Sequence, residues 1–258
     1  MAILLIDIGN SRIKWALLRG TRLGRQQVFP LEGGGAAGFA AVCALAGKIT
    51  AVIAVSVAGQ TRDRTLARCL KAAGLPTPQF ITSSREAGGV QNGYRDVWRL
   101  GADRWVAAIG AWHEAGQRHP VCVMDVGTAT TVDVVDAAGV HQGGLIAPGP
   151  SLMVSSLRKG TRGIAVRAQG SRRRGHSPLA TDTGSAILAG ALEASAALIE
   201  RSALQARQRF GQGTRVYLTG GGAGALVPLL QLDCTVLPDL VLRGLAVLAR
   251  NAASAPGC

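Results

Sequence analysis

The sequence lacks closely spaced cysteine pairs and long apolar runs, and each absence argues against a common class of protein. None of its five cysteines forms a CxxC pair, so neither a disulfide framework nor a zinc ribbon is indicated. No stretch reaches the roughly 18 apolar residues that a membrane-spanning helix needs. A signal peptide is not expected either, because Asp7 and Asn10 interrupt the first apolar run. We therefore expect a cytoplasmic protein without a membrane partner.

Lysine is scarce, although the chain is strongly basic. Lysine and arginine number 28 against 15 acidic residues, which gives a net charge of +13, and only four of the 28 are lysine. The arginines are scattered, and the one dense run, SRRRGHS at 171–177, is typical of a solvated loop. A positive field can attract nucleic acid, but it suits an anionic substrate equally well. On charge alone we do not expect a nucleic-acid partner.

The order of predicted strands and helices starts again halfway along the chain. The first half begins with a hairpin over 3–18, and the second begins with three strands within 121–147. This order predicts an α/β fold with mixed sheets and a linker at 114–120. The other predicted elements are strands over 26–31, 49–59, 77–84, 214–223 and 234–238, helices over 38–47, 61–74, 101–116, 150–158, 182–209, 226–230 and 238–252, and loops over 33–38 and 85–101.

A strand that ends in aspartate and turns through glycine into another strand occurs twice. The first copy, LLIDIGNSRIKWALL, contains Asp7 and Gly9, and the second, VCVMDVGTATTVDVV, contains Asp125 and Gly127. One such turn alone would be an ordinary Asp-Gly hairpin. Two copies with matched flanks, plus a third glycine loop in LTGGGA, favour phosphate binding, because glycine turns expose backbone N–H groups at close range.

The residues around these turns suit a triphosphate, although no GxxxxGK[ST], HRD or DFG motif is present. Ser11 and Thr128 supply hydroxyl donors, and Lys14 can reach a β- or γ-phosphate as a point charge. A carboxylate at the strand end would repel phosphate unless a cation stood between them. By this charge argument we assign Asp7 to the Mg²⁺ of MgATP, through water.

The same motifs resemble those of a known superfamily. DIGNSRIK and DVGTATTVD resemble the two phosphate motifs of the acetate and sugar kinase, Hsp70 and actin superfamily, and TGGGA resembles its adenosine motif. LGADRW at 100–105, GGLIAPGPSLMVSSL at 143–157 and TDTGSAILAG at 181–190 narrow the resemblance to type III pantothenate kinases. Residues 20–85 contribute little to it.

This resemblance implies an architecture and an activity. It implies two ribonuclease-H-like domains, 1–118 and 119–258, each with a mixed five-stranded sheet flanked by helices, and an active-site cleft between them. The implied reaction is ATP-dependent phosphorylation of pantothenate to 4'-phosphopantothenate, the first step of coenzyme A biosynthesis, by a homodimer. The implied cofactors are Mg²⁺ with ATP and a monovalent cation, K⁺ or NH₄⁺. The alternative is a nucleotide-binding regulator of the same fold that acts on transcription.

The resemblance also assigns roles to individual residues. Asp103 is the implied catalytic proton acceptor, and Asp125 is the implied ligand of the monovalent cation. The implied ATP contacts are Asp7, Ile8, Gly9, Asn10, Ser11, Arg12, Ile13, Lys14 and Thr128. The implied pantothenate contacts are Tyr94, Gly101, Ala102, Asp103, Arg104 and Thr183.

Three of these residues have simpler alternatives. Asp103 stands at the start of a predicted helix, where a carboxylate is favoured by the helix dipole and where it would serve equally well as an N-terminal cap. Arg104 would then be a surface residue of the same helix. Thr183 would be a first-turn or capping residue beside Asp182. Val97 stands where the family often has proline, three residues after Tyr94.

Overall fold

A computed structural model describes residues 2–30, 42–44, 46–167 and 179–254. The predicted loop at 33–38 and the basic run at 171–177 lie outside these residues, as do residues 38–41 and 45 of the predicted helix at 38–47. The chain divides into two compact units. The first takes its residues from Met1–Arg118, Val135–Gly143 and Asp239–Cys258, and the second from His119–Val134 and Gly144–Pro238.

The first unit contains a mixed sheet of six strands, β1 Ala2–Ile8, β2 Arg12–Arg19, β3 Arg22–Leu23, β4 Gln27–Pro30, β5 Ile49–Ser56 and β6 Gln79–Phe80. Their order is β3-β2-β1-β5-β6. Strand β2 is antiparallel to β1, whereas β5 is parallel to β1 and β6 is parallel to β5. The remaining strand, β4, pairs with the start of β2 while β3 pairs with its end, so the sheet is five positions wide.

The second unit repeats this strand order. Its strands are β9 Val121–Val126, β10 Ala129–Val135, β11 His141–Pro148, β12 Arg215–Thr219 and β13 Thr235–Val236. They form a sheet in the order β11-β10-β9-β12-β13. In both sheets the first strand is central, the second and third lie on one side of it, and two later strands lie on the other. Strands β9, β12 and β13 are parallel. The repeated motif in the sequence is therefore part of a repeated fold.

Seven α-helices are described. Their bounds are α1 Gln60–Ala72, α2 Ala102–Glu114, α3 Pro150–Gly160, α4 Arg162–Arg167, α5 Thr183–Phe210, α6 Ala223–Leu226 and α7 Leu240–Ser254. Short 3-10 turns occupy Val97–Arg99 and Val227–Leu229. Among the described helices, none combines the length and the apolar character that a membrane crossing requires.

Each sheet has its own hydrophobic core because its central strand is apolar. Leu4, Ile6 and Ile8 of β1 pack with Leu66 and Leu70 of α1 in the first unit. In the second unit the corresponding side chains of β9 pack against α5; this cluster includes Cys122, Met124, Val126, Leu192 and Ile199. Alternate strand residues thus face a helix, as the period of two in each strand requires.

The last helix of the chain belongs to the first unit. Helix α7 packs on α2 at Gly110, where an added Cβ would lie 2.9 Å from the backbone nitrogen of Gly244. Only glycine permits two helices to approach this closely. Arg243 of α7 also forms ion pairs with Glu114 (2.9 Å) and Asp239 (2.8 Å).

The predicted elements on described residues are largely confirmed, but several bounds are corrected. The strands predicted over 214–223 and 234–238 are limited to Arg215–Thr219 and Thr235–Val236, and the helix predicted over 226–230 is a 3-10 turn that follows α6. The strand predicted over 77–84 is limited to Gln79–Phe80. The segment predicted as a loop over 85–101 contains a small hairpin, β7 Glu86–Ala87 with β8 Val90–Gln91, besides its 3-10 turn. The assignment of 1–118 and 119–258 as the two domains stays a prediction, and the structure groups 135–143 and the last helix with the first unit.

Candidate active site

The first acidic turn joins β1 to β2 and holds an ion pair. Asp7 stands opposite Lys14 in the antiparallel register, and its Oδ2 lies 3.5 Å from the Lys14 Nζ. The Asp7 residue is only 6% exposed. The Gly9 N–H donates to the Arg12 carbonyl oxygen at 3.0 Å and closes the turn. The structure thus brings together a buried carboxylate and a lysine at the base of a turn whose tip is exposed.

The predicted ATP contacts around this turn fall into two classes. Ile8 and Ile13 pair across the hairpin and are buried, so only their backbone groups are available to a ligand. Asn10, Ser11 and Arg12 are exposed at the tip. Buried apolar residues at the base of the turn therefore support an exposed polar tip, which suits a phosphate-binding turn.

The second acidic turn joins β9 to β10 in the same way. Asp125 again precedes the glycine by two residues, and the Gly127 N–H donates to the Ala129 carbonyl oxygen at 2.9 Å. Thr128 is exposed at the tip, and its carbonyl oxygen accepts a hydrogen bond of 2.9 Å from the Gly149 N–H. An added Cβ at Gly149 would lie 2.8 Å from that same oxygen, so the residue that precedes α3 packs directly against the turn.

A glycine loop after β12 also packs on this turn. Thr219 is the parallel register partner of Asp125, and the next residue, Gly220, has φ +93°. An added Cβ at Gly220 would overlap the Asp125 carboxylate and lie 2.5 Å from the Val126 carbonyl oxygen. The Gly222 N–H donates to the same Val126 oxygen at 2.8 Å. Of the glycines in TGGGA, Gly220 thus lies against the Asp125 carboxylate and Gly222 lies against Val126.

Thr183 occupies the first position of helix α5 in the second unit. The cap of that helix is Asp182, whose Oδ1 accepts a hydrogen bond of 2.9 Å from the Ser185 N–H. The capping role that was the alternative for Thr183 therefore belongs to its neighbour. Thr183 is half-buried in the first turn, and its contact with substrate stays a prediction.

The GADR segment forms the start of helix α2 in the first unit. Its N-terminal cap is Gly101, so the alternative assignment of Asp103 as the cap is wrong. Asp103 lies two positions after the cap, in the first turn, and its Oδ1 accepts a hydrogen bond of 2.8 Å from the Arg104 N–H. The helix dipole still favours its negative charge at this position. Gly101, Ala102 and Asp103 are half-buried.

Arg104 is not a surface residue but a buried one that contacts Tyr94. It is 7% exposed, and its Nη1 donates to the Tyr94 hydroxyl oxygen at 3.1 Å. Its guanidinium carbon lies 5.9 Å from the centre of the Tyr94 ring. The structure therefore brings together two predicted pantothenate contacts that are ten residues apart in the chain.

Two residues in this region were not predicted from the sequence. His141 is 1% exposed, and its ring centre lies 5.7 Å from that of Tyr94. Asn92 is 8% exposed, and its Oδ1 accepts a hydrogen bond of 3.0 Å from the Tyr94 N–H. The Asn-Gly pair at 92–93 is a turn signal that could have drawn attention to Asn92. No local signal connects His141 with Tyr94.

Comparison with known proteins places this arrangement in a family. Residues 3–205 match the family described as type III pantothenate kinase. The type III pantothenate kinase of Aromatoleum aromaticum is 40% identical, with coverage of 98% of this chain and 100% of the relative. That of Nitrosococcus oceani is 35% identical, with coverage of 96% and 94%.

Solved structures with low sequence identity share the fold. A conserved putative Baf family transcriptional activator from Campylobacter jejuni aligns with a TM-score of 0.56 and 18% identity over 97% of this chain and 99% of that one. Component A of the (R)-2-hydroxyglutaryl-CoA dehydratase of Acidaminococcus fermentans aligns with a TM-score of 0.51 and 16% identity over 98% and 100%. The predicted α/β fold with two ribonuclease-H-like units is confirmed, and the chain belongs to the type III pantothenate kinase family.

Proposed function

We propose that this chain transfers the γ-phosphoryl group of ATP to the primary hydroxyl of pantothenate, the first step of coenzyme A biosynthesis. Family membership over nearly the whole chain carries this conclusion. It favours a kinase over the alternative of a nucleotide-binding regulator. We also propose the roles of individual residues.

Asp103 and Arg104 act on pantothenate at the start of α2. The Asp103 carboxylate accepts the proton of the primary hydroxyl while the hydroxyl oxygen bonds to the γ-phosphorus and the bond to the β-phosphate oxygen breaks. The guanidinium of Arg104 suits the carboxylate of pantothenate, because the two can share paired hydrogen bonds. The contact that supports this assignment is the 3.1 Å hydrogen bond from Arg104 to Tyr94. Gly101, Ala102 and Thr183 complete the proposed contacts.

The turn at 7–14 and Thr128 are assigned to the phosphates of ATP. Backbone N–H groups and the Ser11 and Thr128 hydroxyls are the donors, and Lys14 is the positive charge. Lys14 is held 3.5 Å from Asp7, so its ammonium group is already oriented at the base of the first turn. Such preorganisation lowers the entropic cost of binding phosphate.

The two aspartates fit cations with oxygen ligands. The Asp125 carboxylate would hold K⁺ or NH₄⁺, and Gly220 beside it has no side chain that would overlap the carboxylate. Asp7 would hold the Mg²⁺ that accompanies ATP, through water. When bound, these ions neutralise phosphate charge. Among the residues that the structure describes, no group of three or more His, Cys, Asp or Glu side chains could hold a metal on its own.

A homodimer and a cytoplasmic location are also proposed, both from the family resemblance. The mass of the chain is 26.5 kDa, so light scattering on the purified protein should give about twice this value if the dimer forms. A value equal to that of one chain at assay concentration would contradict the dimer.

The function is tested with purified protein, Mg²⁺, ATP and pantothenate, with and without potassium, by measuring 4'-phosphopantothenate directly. Product is expected, and more of it with potassium. No product under either condition would overturn the proposed function. Asp103→Asn is the matched variant, because it keeps the size of the side chain and removes most of its basicity. Retained folding with loss of turnover supports the proton-acceptor role, and normal turnover contradicts it.

A further inference from the structure

Asn92 is buried within the loop that contains Tyr94, and its side chain forms hydrogen bonds to residues before and after Tyr94. Its Oδ1 accepts from the Tyr94 N–H at 3.0 Å. Its Nδ2 donates to the carbonyl oxygens of Ser84 at 3.1 Å and Val97 at 3.3 Å. Its own backbone N–H donates to the Arg85 carbonyl oxygen at 2.8 Å. One amide group thus ties together the chain before Tyr94 and the chain after it.

The amide group is the side chain that this position requires. It must accept one hydrogen bond and donate two at once, which a carboxylate or a hydroxyl of similar size cannot do. Since the residue is only 8% exposed, solvent does not readily replace a lost bond. Removing the side chain would leave the Tyr94 N–H and two carbonyl groups without this partner.

Tyr94 in turn contacts Arg104. The Tyr94 hydroxyl accepts from the Arg104 Nη1 at 3.1 Å, and the centre of the ring lies 5.9 Å from the guanidinium carbon and 5.7 Å from the centre of the His141 ring. On its other side the loop is held by a backbone hydrogen bond of 2.8 Å from the Gln91 N–H to the Gly139 oxygen. A shift of the Tyr94 backbone would therefore move the hydroxyl that orients the guanidinium.

We propose that Asn92 is a positioning residue for pantothenate recognition, which acts through Tyr94 on Arg104. This inference rests on the proposed function, because it takes Arg104 as the residue that meets the substrate carboxylate. The hydrogen bonds of the Asn92 side chain all go to backbone groups of the protein. Asn92 therefore affects the affinity for pantothenate and leaves the affinity for ATP unchanged.

The first experiment compares Asn92→Ala with Ser83→Ala. Ser83 donates to the Leu100 carbonyl oxygen at 2.7 Å, so its variant loses a side-chain hydrogen bond in the same segment without touching Tyr94. We expect Asn92→Ala to raise KM for pantothenate about tenfold, as for one lost buried hydrogen bond, with KM for ATP unchanged. Ser83→Ala should change neither. Equal effects of the two variants, or an unchanged KM for pantothenate in Asn92→Ala, would overturn the proposal.

The second experiment tests the route through Tyr94. In a Tyr94→Phe background the hydroxyl that orients Arg104 is already gone. Adding Asn92→Ala should therefore raise KM for pantothenate by a clearly smaller factor than it does in the native chain. Fold-changes in KM that simply multiply would contradict the coupling. If Asn92→Ala does not fold, Asn92→Asp replaces it, since it keeps the acceptor for the Tyr94 N–H and loses both donors. A native enzyme that fails to phosphorylate pantothenate would instead contradict the proposed function itself.

Discussion

Replacement of Gly220 by alanine tests whether glycine backbone is required around the Asp125 carboxylate. Gly220 has φ +93°, a conformation that costs an L-residue on the order of 1–2 kcal/mol. The new Cβ would overlap the Asp125 carboxylate and stand 2.5 Å from the Val126 carbonyl oxygen. The latter is backbone in the central strand and cannot rotate away. Overpacking of this kind costs about a further 1–3 kcal/mol, so we expect a total loss of about 2–5 kcal/mol.

Gly211→Ala is the control, because it isolates the effect of backbone strain. Gly211 has φ +100° and lies in the same unit, but an added Cβ there meets nothing within 4 Å. With ψ 155°, Gly211 adopts a conformation that is essentially restricted to glycine, so we expect its variant to lose only a strain contribution, on the order of 1–3 kcal/mol. The difference between the variants in urea unfolding measures the overlap with Asp125 and Val126. Potassium activation of the kinase should fall in Gly220→Ala and stay normal in Gly211→Ala.

Two results would refute this reasoning. If both variants lose the same free energy of unfolding, the close packing of Gly220 on Asp125 has no energetic consequence. If Gly220→Ala is destabilised but keeps full turnover and full potassium activation, the Asp125 carboxylate can move freely without loss of function. In that case Asp125 would not be the ligand of the monovalent cation.

Three further predictions concern other side chains. Asp103→Asn should lower kcat about 10²- to 10⁴-fold, the usual contribution of general base catalysis, with little change in the melting temperature. Lys14→Met should raise KM for ATP about tenfold in a steady-state assay, whereas the exposed Lys48→Met should not, because only Lys14 is held at the first turn. Burial, followed by the charge of Asp133, raises the pKa of the Cys122 thiol to about 12 from 9.0. The native state therefore holds this proton more tightly, and between pH 9 and 10 it should lose about 1 kcal/mol of stability that a Cys122→Ala variant does not lose.

The two turns could be predicted from the sequence because their signals are local. An apolar strand that ends in Asp-x-Gly and continues as an alternating strand leaves few alternatives to a hairpin. The start of α2 could equally be predicted from the sequence, although its cap is Gly101 and not Asp103. In each case a few consecutive residues contain the physical cause of the structure. The family resemblance then implied two ribonuclease-H-like domains with five-stranded sheets, which local patterns do not contain.

The support around the site could not be predicted because it comes from distant parts of the chain. His141 packs against Tyr94 from a strand that begins 47 positions later, and a bridge between Gln91 and Val140 brings the two segments together. Helix α7 joins the first unit through a close glycine crossing with α2 at Gly110. Such contacts depend on the packed fold, and neither periodicity nor composition reports them.

The duplicated turns keep the aspartate at the same spacing from the glycine but depend on different neighbours. In the first turn the strand register places Lys14 opposite Asp7, so a side chain of opposite sign lies 3.5 Å from the carboxylate. In the second turn an added Cβ at Gly220 would overlap the Asp125 carboxylate, so the residue that follows β12 has to be glycine. The first copy therefore depends on a side chain of the adjacent antiparallel strand, whereas the second depends on the absence of a side chain after the adjacent parallel strand. A substitution at either neighbour should consequently affect one turn and leave the other intact.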